Sequence, residues 1–207
     1  MPRTRVKICG LTSLDGVDAA VREGADAIGL VFADSPRLVT PKQAVSITDD
    51  LPPFISTVAV FKKANDFEVS TIWKTFRFSC LQADAGGLGV LSLEGLEPQV
   101  IQVHRLGPSS IAQILQATAN HHALLIEGAR SGAGETIDWN AVVPLARQRR
   151  IILAGGLTPD NVAEANRTVR PYGVDVSSGV ESSPGKKDPI KIRDFLQAVR
   201  DVYRELQ

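Results

Sequence analysis

Two glycine-rich turns near the C-terminus have the composition of an anion-binding site. Ala154-Gly155-Gly156-Leu157 and Ser177-Ser178-Gly179-Val180 each directly follow a short apolar, β-branched run. Glycines at such a turn let backbone N–H groups approach an anion closely, and serine hydroxyls add further donors. Either turn alone is equally compatible with a plain strand-to-helix connection. Together they predict a phosphate site, with contacts from Gly155, Gly156, Ser178 and Gly179.

The elements that must position these turns alternate along the whole chain, which predicts parallel strands connected by helices. The predicted strands are Val6 to Cys9, Ala27 to Val31, Ile55 to Phe61, Arg77 to Ala83, Val100 to His104, Ala123 to Ile126, Ile151 to Leu153 and Val174 to Val176. The predicted helices are Leu14 to Glu23, Pro41 to Thr48, Asp66 to Lys74, Ser109 to Asn120, Trp139 to Arg149, Pro159 to Arg167 and Pro189 to Glu205.

Eight alternations favour an α/β fold with a single (β/α)8 TIM barrel domain spanning residues 1–207. The competing architecture is an open, doubly wound sheet, which uses the same units, but no GxGxxG follows the first strand. In a barrel, the two glycine-rich turns come after strands seven and eight, where a phosphate is usually held. The segment from Gly86 to Pro98 contains four glycines and little periodicity, so a short or irregular connection is expected there.

Composition argues against polyanionic partners. Lys plus Arg equals Asp plus Glu at 23 each, so no overall field attracts nucleic acid or a membrane surface. No long apolar run suggests a signal peptide or a membrane span, and a cytoplasmic protein is expected. Cys9 and Cys80 lack zinc-site spacing, and the histidines show no ligand spacing, so no metal site is predicted.

Several ordered motifs resemble the phosphoribosylanthranilate isomerases of tryptophan biosynthesis. The similarity covers nearly the whole chain and is looser from Ala64 to Glu135. The motifs that carry it are Lys7-Ile8-Cys9-Gly10-Leu11-Thr12, Gly24-Ala25-Asp26-Ala27-Ile28-Gly29, Ser35-Pro36-Arg37, Asp138-Trp139, Ala154-Gly155-Gly156-Leu157, Val174-Asp175-Val176-Ser177-Ser178-Gly179-Val180-Glu181 and Pro184-Gly185-Lys186-Lys187-Asp188.

This resemblance implies an Amadori rearrangement, in which a phosphorylated aminoaldose becomes an aminoketose by general acid–base catalysis without a cofactor. The implied partner is a small phosphorylated substrate, and the chain is expected to act as a monomer or a homodimer. Cys9 matches the family base, and Arg37 matches the arginine that holds the anthranilate carboxylate. The Cys9 thiol, with an ordinary pKa of about 8.5, must have a lowered pKa or act as a minority thiolate. Lys7, two residues away on the same strand face, would supply positive charge.

Two positions depart from the family pattern. The family acid is an aspartate that closes strand six, whereas counting back from Asp138-Trp139 places Glu127 there. Its extra methylene moves the carboxyl by about 1 Å, and burial would have to keep it protonated. At strand four, Gln82 is kept, but Asp84 replaces a histidine and could bond the sugar, repel the substrate or raise the pKa of Glu127.

The remaining candidate substrate contacts are Lys7, Gln82, Asp84 and Asp175, the last of which alternates with core positions of strand eight. Because of the two departures, a non-catalytic or diverged phosphosugar-binding barrel of the same family is the alternative function. An isomerase for another phosphosugar, such as the histidine-pathway aminoaldose, is a weaker option, since Cys9 stands where that chemistry has an aspartate.

Overall fold

Eight short parallel strands close into a barrel in which β8 pairs with β1 and every other strand pairs with its sequence neighbours. The computed structural model describes residues 3–87, 98–106, 111, 114, 123–128 and 136–207. The closed order confirms the predicted (β/α)8 barrel and excludes the open sheet. The strands are β1 (Arg5–Cys9), β2 (Ala27–Val31), β3 (Ser56–Val60), β4 (Cys80–Asp84), β5 (Gln99–Arg105), β6 (Ala123–Glu127), β7 (Ile151–Leu153) and β8 (Gly173–Val176).

Helices cover the outside of the barrel, and most begin at a capping side chain. Thr40 and Gln43 form a reciprocal capping box, Asn65 and Asp138 accept bonds from first-turn N–H groups, and Asp188 does the same ahead of Pro189. The described helices of more than one turn are α1 (Leu14–Arg22), α2 (Pro41–Thr48), α3 (Asp66–Thr75), α4 (Trp139–Gln148), α5 (Val162–Val169) and α6 (Pro189–Glu205).

The last helix closes the outer layer. Its apolar side buries Ile192, Phe195, Leu196 and Val199, as the helical periodicity of the sequence predicts. It packs against α1 and α5, so the C-terminal helix joins the first and last parts of the barrel.

The helix after β7 differs from its prediction. Thr158 followed by Pro159 predicts a helix that begins at Pro159 with Thr158 as its cap, but α5 begins at Val162, and the Thr158 carbonyl accepts bonds from the N–H groups of Asn161 and Val162. The Asn161 side chain instead accepts a bond from the Thr158 N–H and donates one to the Gly156 carbonyl. These local side-chain bonds hold a turn where helix was predicted.

Two predicted segments fall mainly outside the described residues. Of the predicted helix Ser109 to Asn120, only Ile111 and Ile114 are described, and both are helical. Of Gly86 to Pro98, only Gly86, Gly87 and Pro98 are described. The two glycines belong to a short 3₁₀ turn, Ala85–Gly87, and Pro98 is buried.

The barrel interior is lined by alternate residues of the strands. A separate apolar cluster inside it contains Val58, Ile101, Val103, Leu125, Ile152 and Ala154. Because side chains alternate along a strand, residues two positions beyond Val103 and Leu125 also face inward. Arg105 and Glu127 therefore point into the barrel at the carboxyl ends of β5 and β6.

A small hairpin follows the barrel. After a 3₁₀ turn, Ser178–Val180, the strands β9 (Glu181–Ser183) and β10 (Lys186–Lys187) pair antiparallel. The Thr12 hydroxyl donates a hydrogen bond to the Gly185 carbonyl at its tip, over a distance of 2.8 Å. The hairpin is thereby fixed beside the carboxyl end of β1.

Candidate active site at the carboxyl ends of the strands

Cys9 lies above a buried ion pair. Lys7 is paired in register with Asp175 of β8, and its Nζ lies 2.8 Å from Asp175 Oδ1. Both side chains are buried, and Cys9 follows two residues later at the end of β1 with 7% of its surface exposed. The structure thus brings together three predicted site residues, with Asp175 contacting Lys7.

The thiol of Cys9 is held mainly in its protonated form. Burial raises its pKa, the positive charge of Lys7 lowers it and the negative charge of Asp175 raises it, with a net result above the ordinary value. Burial lowers the pKa of Lys7, but Asp175 and Cys9 outweigh that effect, so Lys7 stays charged. Of the two routes open to a cysteine base, the structure therefore favours the minority thiolate.

Gly29 makes room for these side chains. It pairs in register with Cys9, and a Cβ at this position would lie 2.8 Å from Cys9 Sγ and 3.1 Å from Lys7 Cε. A side chain at position 29 would displace Cys9 or Lys7. The glycine in the family-like motif that opens β2 therefore has a steric explanation.

Arg37 is held by an acidic partner that the sequence did not indicate. Its Nε and Nη2 donate to the two carboxylate oxygens of Glu181 at 2.7 and 2.8 Å. Burial raises the pKa of Glu181, but hydrogen bonds from Arg37 and Lys187 lower it more, so the net pKa lies below the ordinary value. Within the described part of the chain, Arg37 Nη1 makes no hydrogen bond, so Glu181 occupies only Nε and Nη2 of this guanidinium.

Lys187 is a buried member of the same cluster. The composition of Gly185-Lys186-Lys187-Asp188 predicts a solvated loop that leads into the last helix, but Lys187 is only 8% exposed. Its Nζ donates to Glu181 Oε1 at 2.8 Å and to the Ser177 carbonyl at 3.0 Å. Burial lowers its pKa, and the charge of Glu181 restores part of that loss. The prediction of a solvated loop was wrong here because a carboxylate and a carbonyl stabilise the buried ammonium group.

Glu127 lies at the carboxyl end of β6 and is bound to an arginine. Arg105 Nη1 lies 2.5 Å from Glu127 Oε1, and Arg105 Nη2 lies 2.7 Å from Asp84 Oδ1. The Glu127 side chain is 13% exposed, which agrees with the burial expected of it. One guanidinium therefore contacts both the predicted acid and the carboxylate of strand four.

The two glycine-rich turns meet at the ends of β7 and β8. Gly155 and Gly156 have φ values of 86° and 62°, a region that favours glycine. A Cβ on Gly179 would lie 1.9 Å from the Leu157 carbonyl oxygen, closer than any side chain permits. The backbones of the two turns therefore touch, and Ser178 opens the 3₁₀ turn beside them.

Gln82 lies one layer below the site. It is 6% exposed, and its Oε1 is buried without a hydrogen-bond partner among the described residues. A buried acceptor without a donor costs about 1–3 kcal/mol. A ligand hydroxyl at this atom would recover that energy.

A large cavity lies at the opposite end of the barrel. It has a volume of about 890 Å³ and opens between the amino ends of the strands, where Arg5, Ala27, Ser56, Gln99 and Ala123 line it. Catalytic groups of (β/α)8 barrels lie at the carboxyl ends, so we assign the site by its chemistry rather than by cavity size.

Three functional candidates were missed from the sequence: Arg105, Glu181 and Lys187. Arg105 could have been found, because it directly follows the predicted fifth strand and is charged. Glu181 and Lys187 stood within recognised motifs, but their partners are apparent only in three dimensions. The part of the chain that the structure describes contains no cluster of metal-ligating side chains and no helix long and apolar enough to cross a membrane.

A closed barrel with a buried thiol, a carboxyl group and two glycine-rich turns at one end belongs to the class of (β/α)8 enzymes that perform acid–base chemistry on small anionic ligands. The family model for N-(5'phosphoribosyl)anthranilate (PRA) isomerase matches residues 6–198. The N-(5'-phosphoribosyl)anthranilate isomerase of Pseudomonas fluorescens Pf-5 is 46% identical over 206 residues, covering 97% of each chain. The chain belongs to the N-(5'-phosphoribosyl)anthranilate isomerase family.

Solved structures agree with this assignment. Phosphoribosyl anthranilate isomerase from Thermotoga maritima superposes with a TM-score of 0.83 at 32% identity, covering 96% of this chain and 99% of that one. A phosphoribosyl anthranilate isomerase in complex with reduced 1-(O-carboxyphenylamino)-1-deoxyribulose 5-phosphate has a TM-score of 0.80 at 32% identity, with coverage of 96% and 99%. That relative binds a phosphorylated ligand.

Proposed function

We propose that this chain is an aldose–ketose isomerase that converts N-(5'-phosphoribosyl)anthranilate to its aminoketose in tryptophan biosynthesis. The observation that carries the proposal is the arrangement of Cys9 and Glu127 at the same end of one closed barrel. Family membership over residues 6–198 supports the same reaction.

We assign the base to Cys9. Its thiolate removes the C2 proton of the ring-opened iminium, and the resulting enolamine tautomerises to the ketone. The raised pKa of the thiol leaves few enzyme molecules ionised at neutral pH, but a base of high pKa accepts the proton readily. Lys7 stabilises the thiolate by its charge, and Asp175 holds Lys7 in place.

We assign the acid to Glu127. Its carboxylic acid transfers a proton to the furanose ring oxygen, the C1–O bond breaks, and the nitrogen lone pair forms the iminium. The position of Glu127 at the carboxyl end of β6, where its side chain faces into the barrel and is 13% exposed, supports this role. The neighbouring arginine stabilises the carboxylate that remains after transfer.

Substrate binding is assigned to the anion-binding groups. Arg37, aimed by Glu181, would bind the anthranilate carboxylate through Nη1. The turns that contain Gly155, Gly156, Ser178 and Gly179 would hold the phosphate, and Gln82 would accept a hydrogen bond from a sugar hydroxyl. Asp84 is assigned to Arg105 rather than to direct substrate contact.

We infer that the partner is this small phosphorylated substrate and that neither nucleic acid nor a membrane is one. The balanced charge of 23 basic and 23 acidic residues supports that inference. The proposed reaction needs no cofactor and no metal, and the proposed location is the cytoplasm, where cell fractionation would test it. Sedimentation velocity would distinguish a monomer from a homodimer.

The direct test is turnover of the aminoaldose by the purified protein, followed by the fluorescence change of the anthranilate group. Cys9→Ser should abolish turnover, whereas Cys80→Ser, at the amino end of β4, should not. Complementation of a tryptophan auxotroph that lacks this isomerase gives the same comparison in cells. Binding of a phosphorylated product analogue without turnover, even after Glu127→Asp, would instead support the non-catalytic alternative.

A further inference from the structure

Three charged side chains from neighbouring strands form a connected group at the site. The Asp84–Arg105–Glu127 cluster joins the carboxyl ends of β4, β5 and β6. Arg105 and Glu127 are directly paired in the strand register, and different nitrogens of one guanidinium contact the two carboxylates at 2.5 and 2.7 Å.

The geometry of the cluster restricts where the Glu127 carboxyl can lie. A guanidinium is planar and rigid, so the contact of Arg105 Nη2 with Asp84 restricts where Arg105 Nη1 can point. Glutamate has one more rotatable bond than aspartate, which gives an unrestrained carboxyl more positions to occupy. Arg105 removes that freedom by holding Oε1.

The same contact places Arg105 beside the group that transfers the proton, since Glu127 Oε1 accepts a hydrogen bond from Arg105. When the Glu127 carboxyl gives its proton to the ring oxygen, the electrons of the O–H bond remain on the carboxylate. Arg105 already lies beside the negative charge that develops, and no large rearrangement is needed.

We propose that Arg105 is a positioning residue that, anchored by Asp84, aims the Glu127 carboxyl at the ring oxygen of the substrate. The inference rests on the proposed isomerase function. It also connects the two departures from the family pattern. Glu127 is longer than the family aspartate and needs a partner that fixes its position, and Asp84 anchors that partner, Arg105.

The experiment compares Arg105→Met with the wild-type chain in steady-state turnover. Misplacement of the acid by about 1 Å should lower kcat about 10²-fold, with little change in KM, because Arg105 is not assigned a substrate contact. Millimolar guanidinium should restore part of kcat by occupying the vacated position, and Arg105→Lys should retain an intermediate kcat. Asp84→Asn should cause a smaller loss of the same kind, since only the anchor is removed.

The matched control is Arg167→Met. Arg167 also makes two bonds to a glutamate, Glu205, but on an exposed surface remote from the strands, so its kcat should equal the wild-type value. A wild-type kcat in Arg105→Met would overturn the inference. So would a loss that neither guanidinium nor lysine reduces, because that is the behaviour of a general structural defect. If the wild-type chain itself does not turn over substrate, the proposed function fails, whatever the variants do.

Discussion

Lys7 Nζ and Asp175 Oδ1 lie 2.8 Å apart in the barrel interior, with the two side chains 5% and 9% exposed. Each charge is removed from water and is compensated mainly by the other. Loss of one partner leaves an uncompensated buried charge, whereas loss of both leaves none.

The first prediction concerns this ion pair. Lys7→Met should lower the free energy of unfolding by about 3–5 kcal/mol, whereas Lys7→Met/Asp175→Asn should lose less than the single variant. Urea denaturation followed by circular dichroism measures both, and a single cooperative transition is expected if residues 1–207 form one domain.

The exposed pair Arg167–Glu205 provides the control cycle for that experiment. Its side chains are 48% and 51% exposed, and removing either partner should change stability by about 0–1 kcal/mol. If Lys7→Met were no more destabilising than Arg167→Met, the buried ion pair would not have the predicted energetic role.

The second prediction concerns the Cys9 thiol. In a Cys80→Ser background, thiolate absorbance at alkaline pH should give a Cys9 pKa above the ordinary thiol value, because burial dominates its surroundings. Since the thiolate is the proposed base, kcat/KM should rise with pH toward that value. Lys7→Met should raise the pKa further by removing a stabilising charge. A Cys9 pKa below the ordinary value would contradict this account.

The third prediction concerns Glu181 and acid stability. Its pKa in the folded chain is lowered from the ordinary 4.5, so its carboxylate stabilises the fold above that pH. This stabilisation is lost as pH falls through the lowered value. Glu181→Gln should therefore be less stable at neutral pH by about 1.5–3 kcal/mol, the strength of hydrogen bonds to a charged group.

The pH dependence of unfolding free energy, measured below and above 4.5, tests this assignment. The difference between Glu181→Gln and the wild-type chain should shrink in acid, because the wild-type carboxylate is then protonated. A difference independent of pH would indicate lost packing rather than lost charge.

Local sequence patterns predicted most of the fold because the barrel is built from short repeating units. The bounds of β2, β7, α2 and α6 are those expected from apolar runs and helix caps. The start of α5 was not predictable in the same way, because side-chain bonds of Asn161 compete with the helix. Local sequence patterns predict strands and helices, but they do not predict side-chain hydrogen bonds, such as those of Asn161, that change where a helix begins.

The site was predicted only where a single residue stood in a recognisable motif. Cys9, Glu127 and Arg37 lie at the carboxyl end of the barrel, as expected. Their partners were not predictable, because Arg37 and Glu181 are 144 residues apart and meet only when the barrel closes. The sequence left two routes open for Cys9, and only the structure favours the minority thiolate over a lowered pKa, since burial and Asp175 outweigh the charge of Lys7.

The last prediction tests the proposed phosphate-binding turns through Gly179. A Cβ at this position would lie 1.9 Å from the Leu157 carbonyl oxygen, so Gly179→Ala must separate the two turns. Loss of one charge-assisted hydrogen bond to phosphate, about 1.5–3 kcal/mol, would raise KM about tenfold or more. Gly86→Ala is the matched control, since a Cβ there meets nothing within 4 Å. Inhibition by inorganic phosphate should weaken in Gly179→Ala and stay unchanged in Gly86→Ala; equal phosphate inhibition in both variants would place the phosphate elsewhere.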